Sequence, residues 1–228
     1  MDILGVEAPF RMTDPLRPAG GLLLAAVEAG EHEPVTWTEI DAAPGLRITV
    51  ATDALKASIP ESERPVRLPV SYAETITICR LLRCIPPTVA MSDAIFRAAA
   101  ARPSPVPLVR NAEEARLMTT VAFALTHHDN VESTPYDSTD LLADVGKDWV
   151  LDNAIFVRGA VNYGWRFVGR SGAPRPLQPI GCAHDAAHYD YSQVLRLVQR
   201  EASLNGATID LLDYLGRKIH RLLLAPYR

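Results

Sequence analysis

Residues 161–198 read VNYGWRFVGRSGAPRPLQPIGCAHDAAHYDYSQVLRLV. Aromatic and apolar residues alternate over 161–167, and apolar alternation returns from Val194 to Val198, as in half-buried strands. Between them a Gly/Pro-rich loop brings Cys182, His184, Asp185, His188, Asp190, Tyr191 and Ser192 close together in sequence. Two strands carrying a reactive loop call for a sheet protein whose site lies on a loop held by that sheet.

Working outward, the same periodicity recurs. Residues 35–40 and 46–50 alternate about Ala43-Pro44-Gly45 and predict a hairpin. Residues 66–70 form a third short strand, and Pro69 suits its edge or end. Helical stripes appear at 18–29, closed by Gly30, and at 71–82, where Ser71 and Glu74 have capping-box spacing. Thr88 is placed to cap a helix over 89–101, and Asn111 one that continues towards Thr126. Strands follow at 149–157, 160–167 and 192–204. Leu211, Leu212, Leu215, Ile219, Leu222 and Leu223 then predict a C-terminal amphipathic helix over 209–224. The order of elements predicts an α+β fold with a mixed or antiparallel sheet, helices packed on one side, and a helical insertion in the middle. We read 1–228 as a single domain, with 1–16 an N-terminal arm, 71–128 the helical part and 129–146 a long loop.

Composition narrows the classes. Of 228 residues 48% are hydrophobic, and the formal charge of -4 offers no broad attraction for nucleic acid. No apolar run reaches the roughly 18 residues of a membrane span, and 22–26 is too short for a signal-peptide core. A cytoplasmic location is therefore expected, with neither nucleic acid nor membrane as partner. A homo-oligomer is compatible with the sequence. The three cysteines lack zinc-knuckle spacing and read as small apolar residues. No P-loop, GxGxxG or GxSxG is present, so no cofactor is expected. His127-His128-Asp129 is not accompanied by HExxH, CxxC or HxH, so no metal is expected either.

The titratable residues suggest acid–base chemistry. His184 is the candidate general acid/base, oriented by Asp190. Lys147 and Tyr191 would stabilise developing charge. His127 would be a second proton-transfer group, and Ser192 an optional nucleophile. Tyr163 and Trp165, two apart on a strand, would share a face and form an aromatic wall. The bland alternatives are a polar turn for the loop and ordinary core packing for the aromatics.

Several of these residues also form a pattern. Tyr163-Gly164-Trp165, Leu177-Gln178-Pro179, His184 and Asp190-Tyr191-Ser192 resemble a family of bacterial proteins of unassigned activity. Lys147-Asp148, Asn153, Met118-Thr119-Thr120-Val121 and Asp93-Ala94-Ile95 extend the resemblance upstream. The resemblance implies a shared site, adding Asn153, Arg166 and Gln178 to Tyr163 and Trp165 as substrate-binding candidates. Arg166 and Gln193 stand where that family has histidines. The expected function is an enzyme, a hydrolase of an amide or related acyl bond in a small-molecule or peptide-like substrate. The alternatives are a biosynthetic enzyme performing acid/base condensation, cyclisation or elimination, and a non-catalytic small-molecule binding module.

Overall fold

The capping signals translate directly into helix starts. The structure, a computed structural model, describes residues 14–152, 159–168 and 174–216. Helix α1 spans Leu22–Ala29 and closes on Gly30 in the left-handed conformation that glycine adopts without strain. Helix α2, Tyr72–Leu81, has a complete capping box: Glu74 N–H donates to Ser71 Oγ at 3.2 Å, and Ser71 N–H to Glu74 Oε2 at 2.7 Å. Thr88 caps α3, Val89–Ala98, through Met91 N–H. Asn111 caps only the single turn α4, Ala112–Ala115.

The expected continuation of α4 to residue 126 does not form. A new helix, α5 (Val121–Glu132), starts at Thr120. Its leading amides bond outside the helix: Val121 N–H donates to Arg17 O and Ala122 N–H to Pro15 O. The segment at 15–17 thus satisfies the donors that a helix start leaves open, which a local reading cannot see.

The fold is α+β with mixed sheets. Strands β1 (Trp37–Ala43) and β2 (Leu46–Ala51) form the expected hairpin. They join β10 (Val198–Leu204) and β11 (Ala207–Asp210), with β5 (Cys84–Ile85) also paired to β10. Strands β3 (Lys56–Ala57) and β4 (Val66–Arg67) pair separately. A second sheet has the order β8-β7-β6-β9, from Arg175–Gly181, Asn162–Phe167, Lys147–Trp149 and Gln193–Val194. Its β6–β9 pair is parallel and its other pairs antiparallel.

Three expectations change here. Strand β8 forms where a loop was read; as an edge strand it tolerates Pro176 and Pro179, whose nitrogens cannot donate to a ladder. The single strand over 192–204 is instead a crossover between the two sheets. It is interrupted at Leu195-Arg196-Leu197, whose leucine carbonyls accept from Leu55 and Ala51 N–H. Arg196, 2% exposed, donates to Ala51 O and Leu142 O, both at 2.8 Å. Asn205 and Gly206, both at positive φ, turn β10 into β11, so 207–210 is strand and helix begins at 211. The rest of the expected C-terminal helix, and residues 153–157 of the expected strand, lie outside the described residues.

Two apolar clusters hold these layers. Leu23, Val27, Ile76, Leu68, Leu195 and Leu197 gather around the fully buried Trp149. Ile48, Val50, Met91, Ile95, Leu151 and Val198 join α3 to the first sheet. Among the described residues no helix is long and apolar enough to cross a membrane.

Candidate functional site

Parallel pairing of β6 with β9 sets the site. Lys147 lies opposite Gln193, and Lys147 N–H donates to Ser192 O at 2.6 Å. Gly146 permits this approach: a Cβ there would stand 2.4 Å from Ser192 O and 2.8 Å from Val194 Cγ2. Lys147 Nζ then reaches Asp190 Oδ2 at 2.9 Å. Asp190 Oδ1 accepts from Ser192 N–H at 2.8 Å and from Ser192 Oγ at 2.5 Å, while Asp190 N–H donates to Gln193 Oε1 at 2.6 Å. Burial opposes ionisation of Asp190, but Lys147 and the Ser192 bonds outweigh it and hold the carboxyl below its usual range.

An aromatic wall backs this chain. His127, Trp165 and Tyr191 meet edge to face, with ring centroids 5.6–6.3 Å apart. Lys147 Nζ lies 6.0 Å from the Trp165 centroid. The wall is not the one expected. Gly164 and Trp165 both have positive φ and the ladder slips between Asn162 and Gly164, so the alternation of side chains is lost. Tyr163 instead donates to Asp93 at 2.9 Å and packs against Arg166.

Arg166 is committed elsewhere as well. It pairs with Asp144 at 2.7 Å and Asp93 at 2.5 Å, and its N–H donates to Asp144 Oδ2. Gln178 is on edge strand β8, where its amide donates to Pro179 O. Asn153 lies outside the described residues. The proposed substrate-binding set therefore does not converge: Trp165 lies beside Lys147, whereas Tyr163 and Arg166 belong to a separate ionic cluster.

Four catalytic candidates also change character. Asp190 does not orient His184, because its carboxylate is taken up by Lys147 and Ser192. His184 stacks on His188, with centroids 3.7 Å apart and planes 3° from parallel. Ser192 is fully buried with its hydroxyl donating to a carboxylate, a poor arrangement for a nucleophile. Tyr191 Oη accepts from Leu108 N–H at 2.8 Å, and burial pushes its pKa up.

His127 is 2% exposed, and its Nε2 donates to Val145 O at 2.8 Å. Burial lowers its pKa from 6.5 to about 4, so it is neutral near pH 7 and contributes to the wall rather than moving protons. The neutral ring is the form the fold prefers, so its stabilisation is complete above pH 6.5 and is lost as pH falls towards 4. Asp144 has the opposite sign: burial raises its pKa from 3.8 to about 6, so its contribution grows as pH falls through that window. His128, also lowered to about 4 chiefly by burial, acts in the same direction as His127, so the protein should lose stability as pH falls through this window. His127→Gln, which retains a donor for Val145 O, should remove the His127 share of that loss. Between pH 7 and about pH 4.5 the wild type should lose about 2 kcal/mol more than this variant in urea unfolding. Parallel losses would show that His127 titrates normally.

The sequence reading named His188 in the loop and Gln193 in the resemblance but assigned neither a site role, and it gave none to Asn162. Asp185 Oδ1 holds the His188 turn by accepting from Ala187 and His188 N–H. Burial, then His184, lowers the His188 pKa, and the ring is near enough to Asp190 and Lys147 to respond to both charges. His188 Nε2, Gln193 Nε2 and both polar atoms of Asn162 are buried without hydrogen-bond partners. Such atoms are uncommon in folded proteins, where ordered water, an ion or a functional role accounts for them. The four-residue spacing of His184 and His188 about Asp185 was the one available sequence signal for the pair.

These features define an α+β protein with a Lys147–Asp190–Ser192 chain beside a histidine stack. No protein-family model matches the chain, and comparison with curated proteins and solved structures finds no match.

Proposed function

We propose that the chain is an enzyme of His/Lys/Asp acid–base chemistry that hydrolyses an amide or related acyl bond. The observation that supports this most is the Lys147–Asp190–Ser192 chain within electrostatic reach of His188, which stacks on His184. Asp190 fixes the Lys147 ammonium, and Ser192 fixes Asp190. An ammonium held this way stabilises the oxyanion formed when an acyl carbonyl is attacked. In the stack, burial and then His184 lower the His188 pKa, so His188 is held as a neutral base. It takes a proton from an attacking water and returns it to the leaving amine. Water is the nucleophile in this scheme, with Ser192 a positioning residue. Trp165 offers an apolar surface next to Lys147. A cyclising or eliminating enzyme would use the same groups without consuming water.

Turnover of acyl p-nitroanilide and p-nitrophenyl ester probes in heavy-oxygen water separates these readings. Hydrolysis places heavy oxygen in the carboxylate product. Lys147→Met and His188→Gln should each lower kcat/KM by about 100-fold or more. Ser192→Ala should cost less than about tenfold and form no acyl-enzyme. Full turnover in the first two variants, or products without heavy oxygen, would defeat the proposal.

A further inference from the structure

Helix α2 ends beside a cavity of about 270 Å³, just below the roughly 300–1,000 Å³ of typical small-molecule sites. Ile76, Cys79, Ile85 and Leu212 give it an apolar lining, while Arg83, Arg200 and Asp213 stand at its rim. It adjoins a more polar groove that shares Arg83, Cys84 and Arg200. Burial pushes the Cys79 thiol well up and the Cys84 thiol to about 11. Cys84 Sγ also donates to Leu82 O at 3.3 Å. Both thiols are therefore neutral lining rather than nucleophiles.

The rim is cationic but only partly compensated. Arg200 is paired with Asp210 at 2.6 Å, yet its Nε–H is buried without a hydrogen-bond partner. Arg83 follows α2 at a φ of 54°, where its N–H bonds back to Arg80 O at 3.1 Å. Its side chain forms no ion pair among the described residues. With Asp213 also at the rim, one negative charge is accommodated more readily than two.

We propose that this cavity binds a small monoanionic amphiphile, an acyl or aryl carboxylate. Its chain or ring fills the space between Ile76, Ile85 and Leu212. Its carboxylate takes the Arg83 guanidinium and the unpaired Arg200 Nε–H, as guanidinium groups do with planar anions. Recognition needs both halves, because apolar contact alone would accept a cationic amphiphile and charge alone would accept acetate.

Calorimetric titration of the full chain with octanoate, octylammonium and acetate tests this. Octanoate should bind saturably at one site, with the other two at least ~tenfold weaker. Arg83→Gln should weaken octanoate by ~tenfold or more, the usual worth of a charge-assisted hydrogen bond. Leu212→Trp should block the cavity. Both variants should keep the wild-type urea midpoint and the wild-type turnover of the acyl probes, which keeps this proposal separable from the hydrolase reading. No saturable octanoate binding, equal binding of octylammonium, or indifference to Arg83→Gln would overturn it. Octanoate binding only after deletion of residues 217–228 would also overturn it, assigning the cavity to the chain's own C-terminal segment.

Discussion

Replacing Arg67 with methionine is expected to destabilise the protein by about 3 kcal/mol or more, the range for breaking a buried ion pair from one side. The Arg67 side chain is fully buried. Its Nε donates to Asp53 Oδ1 at 2.8 Å and its second nitrogen to Asp53 Oδ2 at 2.5 Å. The remaining nitrogen reaches Glu132 Oε1 at 2.7 Å, and Tyr136 and His128 complete the shell. Methionine fills similar space but leaves Asp53 and Glu132 without their shared cation. Lys56, 3.4 Å from Asp53, and the exposed Arg64, 3.9 Å from Glu132, relieve them only in part. Urea unfolding at neutral pH measures the loss. The deficit should shrink on acidification, because an unpaired buried carboxyl protonates more readily. In the intact protein Arg67 holds Asp53 below its usual range against the cost of burial. A loss under about 1 kcal/mol would mean that the cluster relaxes into water.

Trp149→Ala should cost about 3–5 kcal/mol, as expected for deletion of a large buried aromatic. The ring is 1% exposed and packs edge to face on Tyr72 at 5.9 Å. Its Nε1 donates to Val70 O at 2.7 Å, so alanine leaves both a cavity and an unpaired carbonyl. Trp149 shares the three-residue strand β6 with Lys147. Turnover should therefore fall along with the unfolding midpoint. Unchanged stability would show that the apolar cluster around α1 and α2 does not depend on this ring.

Much of the fold was legible because its signals are local. The Ser71–Glu74 box and the Thr88 and Asn111 caps each act within a few residues. They operate as their sequence spacing implies. The errors occur where distant segments intervene. Carbonyls of Pro15 and Arg17 start α5 separately from α4. Arg196, bonded to two remote carbonyls, splits the last apolar run between sheets. Positive φ at Gly164 and Trp165 defeats the two-residue alternation that would have aligned Tyr163 with Trp165.

The candidate site divides in the same way. Residue type and clustering in sequence single out His184, Asp190, Tyr191 and Ser192 in one loop, with Lys147 a candidate distant from it in sequence. Which of them pair follows from chain crossing alone. The β6–β9 ladder brings Lys147 onto Asp190, and Gly146 leaves room for it. The turn at Asp185 stacks His188 on His184 and leaves Asp190 to Ser192 and Lys147. Sequence by itself determined the α+β class, the capped starts of α2, α3 and α4, and the reactive loop, because these depend on propensity, capping and period over a few residues. Tertiary structure decided the partners, the protonation of His127 and the burial of Ser192. Charges and hydrogen bonds act through space, between residues that only the folded chain brings together.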